Sequence, residues 1–444
     1  MRNGAWWFHP AVALGCPAIL IAIAAYATPP ETYGFYWKTG KFFGPQALLS
    51  VLACIAVFVF GTLVGQGHRR TPATGSEPAD PWQARIPWDL VRKMFRLSFF
   101  LCLIGYTAWA AVAVKNGISL SLLLDAVTGQ GGAVYALREE YLTTVPGVTT
   151  MTQFGIACLV LAVPLGVATG WKKVRWPVAT VLFLALVRAV LHSERLALIE
   201  LVVPLLISYL MLRPKWRPFQ QRLIKLAPVL GGGLLFLVFS AFEYSRSWLG
   251  FYAAHESSFW RFAALRLVGY YSTALNNGAL VVQSLASPLN APYFTFSFAW
   301  KFPLVKDFVT SIFPVIPLSE AGYLDLLGSA ANPEFNNPSG FFLPIADFGF
   351  TGGLLYWALC GLICGYLYRQ FLNRSAVGLF LYPAIFTSLV EASRILYWSD
   401  GRFFPPMFLL VISVLFLFRE PSRRHVVAAI SSTKIIGRSQ ESPV

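Results

Sequence analysis

Several arginines, distant from one another in the sequence, lie where hydropathy predicts the outer face of a membrane. More than half of the 35 Lys and Arg residues fall in short loops between apolar runs or near the termini, where the positive-inside bias places cytoplasmic segments. The others, mostly arginines, fall on the opposite side. A guanidinium suits pyrophosphate there, because its planar fork donates two parallel hydrogen bonds and stays charged at any working pH. The pattern therefore predicts a site for a lipid-linked pyrophosphate.

Such a site is favourable in free energy only if several arginines converge on the same ligand. Each charge-assisted hydrogen bond contributes about 1.5–3 kcal/mol, whereas inserting one central Arg costs about 2.5–3.5 kcal/mol. Arg195 is the leading candidate, since a tight turn between two apolar runs holds it at the membrane edge. The alternative is that each arginine reaches lipid headgroups or pairs with a glutamate such as Glu243 or Glu391. The predicted catalytic arginines are Arg195, Arg266 and Arg394, with Arg246, Arg261 and Arg402 as further phosphate-binding residues.

Other side chains could complete this chemistry. Imidazole titrates near neutrality, so His192 and His255 are candidate general bases, with the carboxylates Asp347 and Glu334 as alternatives. For Asp347 the sequence equally predicts a helix cap at the start of FGFTGG. Aromatic faces and amides suit a sugar-binding surface, although an ordinary interfacial helix also carries them. The candidates of this kind are Tyr270, Tyr271, Asn276, Asn277, Asn336 and Asn337.

Composition indicates which elements position these groups. Of 444 residues, 56% are hydrophobic and 12% charged, which is about half the charge of a soluble protein. Several apolar runs reach the roughly 20 residues needed to cross the hydrocarbon layer. The sequence therefore predicts an all-α, polytopic helical membrane protein of about ten transmembrane helices. The predicted spans are 11–27, 45–66, 97–114, 150–170, 176–192, 195–212, 226–244, 349–368, 375–393 and 404–418.

These spans predict a division of the chain into four parts. A bundle of about seven spans covers 1–244, a large periplasmic loop covers 245–348, three spans cover 349–418, and a cytoplasmic tail covers 419–444. The large loop begins with FWRFAALRLVGYYSTALNNGALVVQSL (259–285), whose apolar residues recur at three- and four-residue spacing. We expect an amphipathic helix that lies along the membrane surface.

The sequence lacks residues that several classes of protein function require. A net charge of +15 suggests nucleic acid in a soluble chain, but the cytoplasmic loops account for most of it here, so no nucleic-acid partner is expected. The six cysteines lie in apolar runs and behave as small hydrophobic residues. No Asp-x-Asp pair, P-loop or Cys/His metal spacing occurs in the sequence. We therefore expect neither a metal nor another cofactor.

Four segments, in their order along the chain, resemble the Wzy-type O-antigen polymerases (oligosaccharide repeat unit polymerases) of bacterial inner membranes. The resemblance covers most of the length. The segments are VPGVTTMTQFG (145–155), HSER (192–195), EFNNPSGFFLPIADFGFTGG (334–353) and EASRILYW around Arg394.

This resemblance implies a metal-independent glycosyltransferase of the GT-C type. Such an enzyme moves a growing glycan from undecaprenyl pyrophosphate onto the non-reducing end of a new lipid-linked unit, at the periplasmic face of the inner membrane. The outer-face arginines of the family correspond here to Arg195, Arg266 and Arg394. The implied partners are undecaprenyl-pyrophosphate-linked oligosaccharides, membrane lipids and a chain-length regulator protein.

Two alternative functions stay open at the level of sequence. An O-antigen ligase, which transfers glycan to lipid A–core, would use the same arginines with a different acceptor. A flippase or transporter of lipid-linked sugars belongs to another class, in which midplane charges and inverted repeats are typical. Neither feature is visible in this sequence.

Overall fold

The described part of the chain is helical, with no strand among its residues. A computed structural model describes residues 5–67, 82–128, 137–143, 145, 147–191, 196–213, 216–249, 252–254, 256–285, 287–313 and 320–419. Six of its helices are long and apolar enough to cross a membrane, and three shorter apolar helices accompany them. These helices mark the protein as membrane-embedded.

The helices, numbered in chain order, follow the predicted spans closely. They are α1 (Pro10–Ala27), α2 (Pro30–Tyr36), α3 (Pro45–Gln66), α4 (Trp88–Lys115), α5 (Leu120–Thr128), α6 (Phe154–Thr169), α7 (Arg175–Leu191), α8 (Leu196–Leu212), α9 (Pro218–Glu243), α10 (Phe259–Ser284), α11 (Ser297–Lys301), α12 (Pro303–Ile312), α13 (Glu320–Ala330), α14 (Leu343–Leu372), α15 (Ala376–Val390) and α16 (Phe404–Arg419). Every predicted span coincides with one of them. The long apolar helices are α1, α3, α4, α9, α14 and α6 with the 3₁₀ turn before it. The ten-span topology and the GT-C arrangement stay predictions.

Proline and serine fix where several helices begin. Proline occupies the first turn of α1, α3 and α9, where its missing N–H would have no helical partner and its φ is already helical. Ser258 caps α10 by accepting from the backbone N–H of Arg261, and Ser375 caps α15 by accepting from that of Gly378.

Helices α3 and α14 pack backbone against backbone through small residues. Each has two glycines spaced four residues apart, which is the pattern of closely associated helices in lipid. A Cβ atom on any of these glycines would overlap a backbone carbonyl oxygen of the opposite helix. The glycines are Gly61 and Gly65 on α3 and Gly361 and Gly365 on α14.

A break in α14 at Gly349 creates an attachment point for a loop. The φ angle of Gly349 is +72°, a conformation that favours glycine, so the helical hydrogen-bond ladder is interrupted there. The loop before α11 bonds the carbonyl groups beside the break. Leu289 N donates to Ala346 O at 3.0 Å, and Asn290 N donates to Asp347 O at 2.7 Å. The broken backbone is thereby satisfied inside the protein.

Helix α10 exists as predicted, but it does not lie along the surface. Residues 272–281 are buried throughout, and the helix packs against α1 and α14. Asn276 and Asn277 in this half hydrogen-bond to the backbone of neighbouring segments. The expected surface position was therefore wrong, and the segment 245–348 contributes a helix to the interior of the bundle.

The glycine contact between α3 and α14 yields a prediction about stability. The substitution Gly361→Ala should destabilise the protein by about 1–3 kcal/mol, because its Cβ would overlap Phe58 O. As a matched control, Gly232→Ala on α9 places its Cβ in open space and should raise stability slightly, by up to about 1 kcal/mol, through helix propensity. Thermal unfolding in detergent measures both variants. Equal melting temperatures would contradict the close packing.

Candidate functional site

Arg266 on α10 is buried and bound by two carboxylates. Its Nε lies 3.3 Å from Glu243 Oε2, at the end of α9. Its Nη1 and Nη2 both donate to the carboxylate of Glu334, which lies in the segment before α14. The side chain of Arg266 is 4% exposed, that of Glu243 is fully buried, and that of Glu334 is 44% exposed. Arg266 therefore has one inaccessible partner and one that solvent reaches.

The surroundings of Arg266 keep it charged. Burial lowers the pKa of the guanidinium, but the hydrogen bond with Glu334 and the charge of Glu243 together raise it above its ordinary value. Aromatic rings add cation–π contacts, since Arg266 Cζ lies 4.9 Å from the ring centroid of Phe335 and 5.7 Å from that of Tyr270.

Arg394 approaches the same aromatic ring from another part of the chain. It lies between α15 and α16, and its Cζ is 5.8 Å from the ring centroid of Tyr270. Glu391 Oε2 lies 3.5 Å from Arg394 Nη1, and Glu391 Oε1 accepts a hydrogen bond of 3.0 Å from Tyr271. Tyr270 thus joins two arginines that the sequence predicted to share a site. We call these residues the arginine cluster: Arg266, Arg394, Tyr270, Tyr271, Phe335, Glu243, Glu334 and Glu391.

The formal charges of the arginine cluster constrain what it can bind. Two guanidinium groups face three carboxylates among its described side chains. An added anion would be repelled unless one carboxylate moved away. Glu243 and Glu391 are 0% and 5% exposed, whereas Glu334 is 44% exposed. Glu334 is therefore the carboxylate that can leave at least cost.

Two of the asparagines that were predicted to bind sugar form hydrogen bonds with the backbone instead. Asn276 Oδ1 accepts from Phe42 N at 2.6 Å, and its Nδ2 donates to Gly40 O at 2.8 Å. The Nδ2 of Asn277 donates to carbonyl groups within 335–337. Both asparagines are almost fully buried, so their amides serve the fold. The candidates in the neighbouring turn differ, since Asn336 is exposed and Asn337 half-buried.

Asp347 holds a loop rather than capping a helix. It lies inside α14, before the break at Gly349, so the predicted helix cap was wrong. Its carboxylate accepts hydrogen bonds from Phe294 N at 3.0 Å, Thr295 N at 2.8 Å and the Thr295 hydroxyl at 2.7 Å. Because Asp347 is fully buried and its carboxylate accepts three hydrogen bonds, the geometry supports a structural role.

The other described arginines contact different partners. Arg261, exposed on α10, donates to the Tyr36 hydroxyl at 3.0 Å. Arg402 lies 4.0 Å from Glu200, in the first turns of α8. Arg195, His192 and His255 lie outside the described residues, as does the side chain of Arg246.

The sequence indicates some of the ion pairs in the arginine cluster but not others. Glu391 and Arg394 are three residues apart, a spacing that predicts a local pair. The Glu243–Arg266 pair joins two separate helices, so no spacing signals it. The sequence predicted Glu334 as a candidate base, but it did not predict that Glu334 pairs with Arg266.

Comparison with known proteins identifies no relative of this chain. No protein-family model matches it, and no curated protein or solved structure shows significant similarity to it. In the part of the chain described, no three His, Cys, Asp or Glu side chains are grouped in a way that could hold a metal ion.

The two carboxylates on Arg266 should contribute unequally to stability. The substitution Glu243→Gln leaves a buried charge less compensated and should cost on the order of 3 kcal/mol. The matched variant Glu334→Gln removes a solvent-exposed partner and should cost less than about 1 kcal/mol. Thermal unfolding of the two purified variants compares them. A larger loss for Glu334→Gln would contradict this description of the site.

Proposed function

We propose that the protein is a metal-independent glycosyltransferase that polymerises lipid-linked oligosaccharide repeat units. It would transfer a growing glycan from undecaprenyl pyrophosphate to the non-reducing end of a new unit, with the arginine cluster facing the periplasm of a bacterial inner membrane. The observation that carries this proposal is the meeting of Arg266 and Arg394 at Tyr270. The sequence resemblance supports the polymerase reaction in particular.

Binding of the donor begins with an exchange at Arg266. Glu334 bonds two N–H groups of the guanidinium, as two phosphate oxygens would. The donor pyrophosphate displaces this exposed carboxylate and takes its place, while Glu243 continues to hold Nε. Arg394 then contacts the same pyrophosphate from across Tyr270. Arg195, Arg246 and Arg261 remain candidates for the further positive charge that the ligand requires.

The arginines lower the barrier by stabilising the leaving group. As the bond between C1 of the donor sugar and the pyrophosphate oxygen breaks, its electron pair and negative charge pass to the pyrophosphate. Guanidinium groups already in position stabilise that charge. The acceptor hydroxyl forms the new bond to C1 from the opposite side and loses its proton. Glu334, released from Arg266, is a base available for that proton, and His255 is the alternative.

The polymerase reaction can be tested directly with purified protein. Incubation with a synthetic lipid-linked repeat unit should give a ladder of longer glycans on a gel. A single transfer to added lipid A–core, with no ladder from lipid-linked units, would instead indicate a ligase. The absence of any product from either acceptor would contradict the proposal.

Arg394 provides a sharp test of the binding chemistry. Arg394→Ala should reduce ladder formation by about 100-fold or more, since removing one donor to a developing oxyanion has that effect. Arg394→Lys should recover little, because a point charge cannot replace a bidentate fork. The matched control is Arg92→Ala on α4, which removes an arginine whose carboxylate partner Asp89 is exposed and should leave the ladder unchanged. Full-length chains from Arg394→Ala would remove Arg394 from the mechanism.

The exchange at Arg266 predicts that removing a carboxylate improves binding. Glu334→Gln should bind undecaprenyl pyrophosphate about tenfold more tightly, because a competitor for Arg266 is lost, an effect of about 1.4 kcal/mol. Transfer should slow if Glu334 is the base. Titration of each purified variant with the lipid measures the affinity. Asp325→Asn, which removes another exposed carboxylate on α13, is the control, and an equal affinity for both variants would rule out the exchange.

A further inference from the structure

The end of α8 that lies farther from the arginine cluster carries a group of basic and aromatic side chains. The start of α8 is close to the segment that holds Arg394, because Glu200 Oε1 lies 4.0 Å from Nη1 of Arg402 in that segment. Arg213 directly follows the last residue of α8 and lies about 20 Å from Glu200 along the helix axis. The group around Arg213 is therefore at the opposite end of α8 from the arginine cluster.

Arg213 is held by neutral aromatic rings, in contrast to Arg266. The Cζ atom of Arg213 lies 4.4 Å from the ring centroid of Trp216 and 5.8 Å from that of Tyr209. The two rings meet edge-on, with centroids 6.2 Å apart. An aromatic ring attracts a cation through its quadrupole and brings no net negative charge. These rings therefore hold Arg213 without cancelling its charge, whereas the partners of Arg266 are carboxylates.

A second loop brings further positive charge to the same place. The ring of Trp171, in the turn between α6 and α7, meets the ring of Tyr209 with centroids 6.3 Å apart. Lys172 and Lys173 follow Trp171 directly, and both are exposed. We call these residues the basic–aromatic patch: Trp171, Lys172, Lys173, Tyr209, Arg213 and Trp216.

The basic–aromatic patch draws its cations from chain segments that contain no acidic residue. No Asp or Glu occurs in 171–193 or in 201–242. The patch therefore attracts an anion. Trp and Tyr rings are typical of the boundary between hydrocarbon and lipid headgroups, and the apolar helices α6 and α8 both end beside the patch. The anion present at that depth in a membrane is the phosphate of a phospholipid.

We propose that the basic–aromatic patch binds the headgroup of an anionic phospholipid, with the lipid phosphate on Arg213. A guanidinium donates two parallel hydrogen bonds to phosphate oxygens. The charges of Lys172 and Lys173 favour a headgroup with net negative charge over the zwitterionic headgroup of phosphatidylcholine. This site is separate from the arginine cluster and does not depend on the proposed transfer reaction.

Lipid binding to the purified full-length protein tests this inference. Native mass spectrometry in detergent measures the affinity for phosphatidylglycerol, with phosphatidylcholine as the zwitterionic comparison. Arg213→Gln should weaken phosphatidylglycerol binding about tenfold, because a charge-assisted contact with the phosphate is lost. The matched control is Arg222→Gln, which removes the same charge from an exposed position on α9 and should change the affinity by about twofold at most.

A second variant separates a specific site from general attraction between charges. Trp216→Leu leaves every cation in place but removes a ring that holds Arg213, so phosphatidylglycerol binding should weaken about threefold. Thermal unfolding in the same detergent checks that each variant is folded. Glycerol 3-phosphate, which has the phosphate but no hydrocarbon chains, should not compete with the lipid. Equal losses for Arg213→Gln and Arg222→Gln, unchanged binding by Trp216→Leu, or full competition by glycerol 3-phosphate would overturn the inference.

Discussion

A charge buried where three chain segments meet constrains the rest of this structure. Arg266 belongs to α10, and its two carboxylates come from the end of α9 and from the segment before α14. Loss of a buried partner leaves an uncompensated charge at a cost of several kcal/mol. The charge of Arg266 must be compensated by carboxylates, and this requirement keeps the three segments together. The same charge is what an anionic substrate can use, because one of its two partners is accessible.

Three further contacts fix the arrangement of other parts of the fold. Helices α3 and α14 pack backbone against backbone, and the break at Gly349 lets α14 bind a loop through the backbone and side chain of Asp347. Asn276 likewise attaches the chain before α3 to α10. Backbone groups shielded from water must find partners within the protein. Polar side chains that resembled substrate ligands in sequence meet that need.

Hydropathy predicted the helices well, because a span must be apolar over a fixed length. Arg266 and Arg394 were assigned to one site from their expected membrane face, and both contact Tyr270. The position of α10 could not be predicted, since buried asparagines resemble exposed ones until their backbone partners are known. The Glu243–Arg266 pair also left no local pattern. No prediction was made from the four-residue glycine spacing in α3 and α14, although this spacing is typical of helices that pack closely in lipid.

The central claim is that Arg266 and Arg394 bind one pyrophosphate together after Glu334 has left. An experimental structure of the full-length protein with undecaprenyl pyrophosphate bound tests it most directly. The account predicts phosphate density beside Tyr270, within hydrogen-bond distance of both guanidinium groups, with Glu334 turned away and Glu243 still on Arg266. Density elsewhere, with Glu334 still bonded to Arg266, would contradict it.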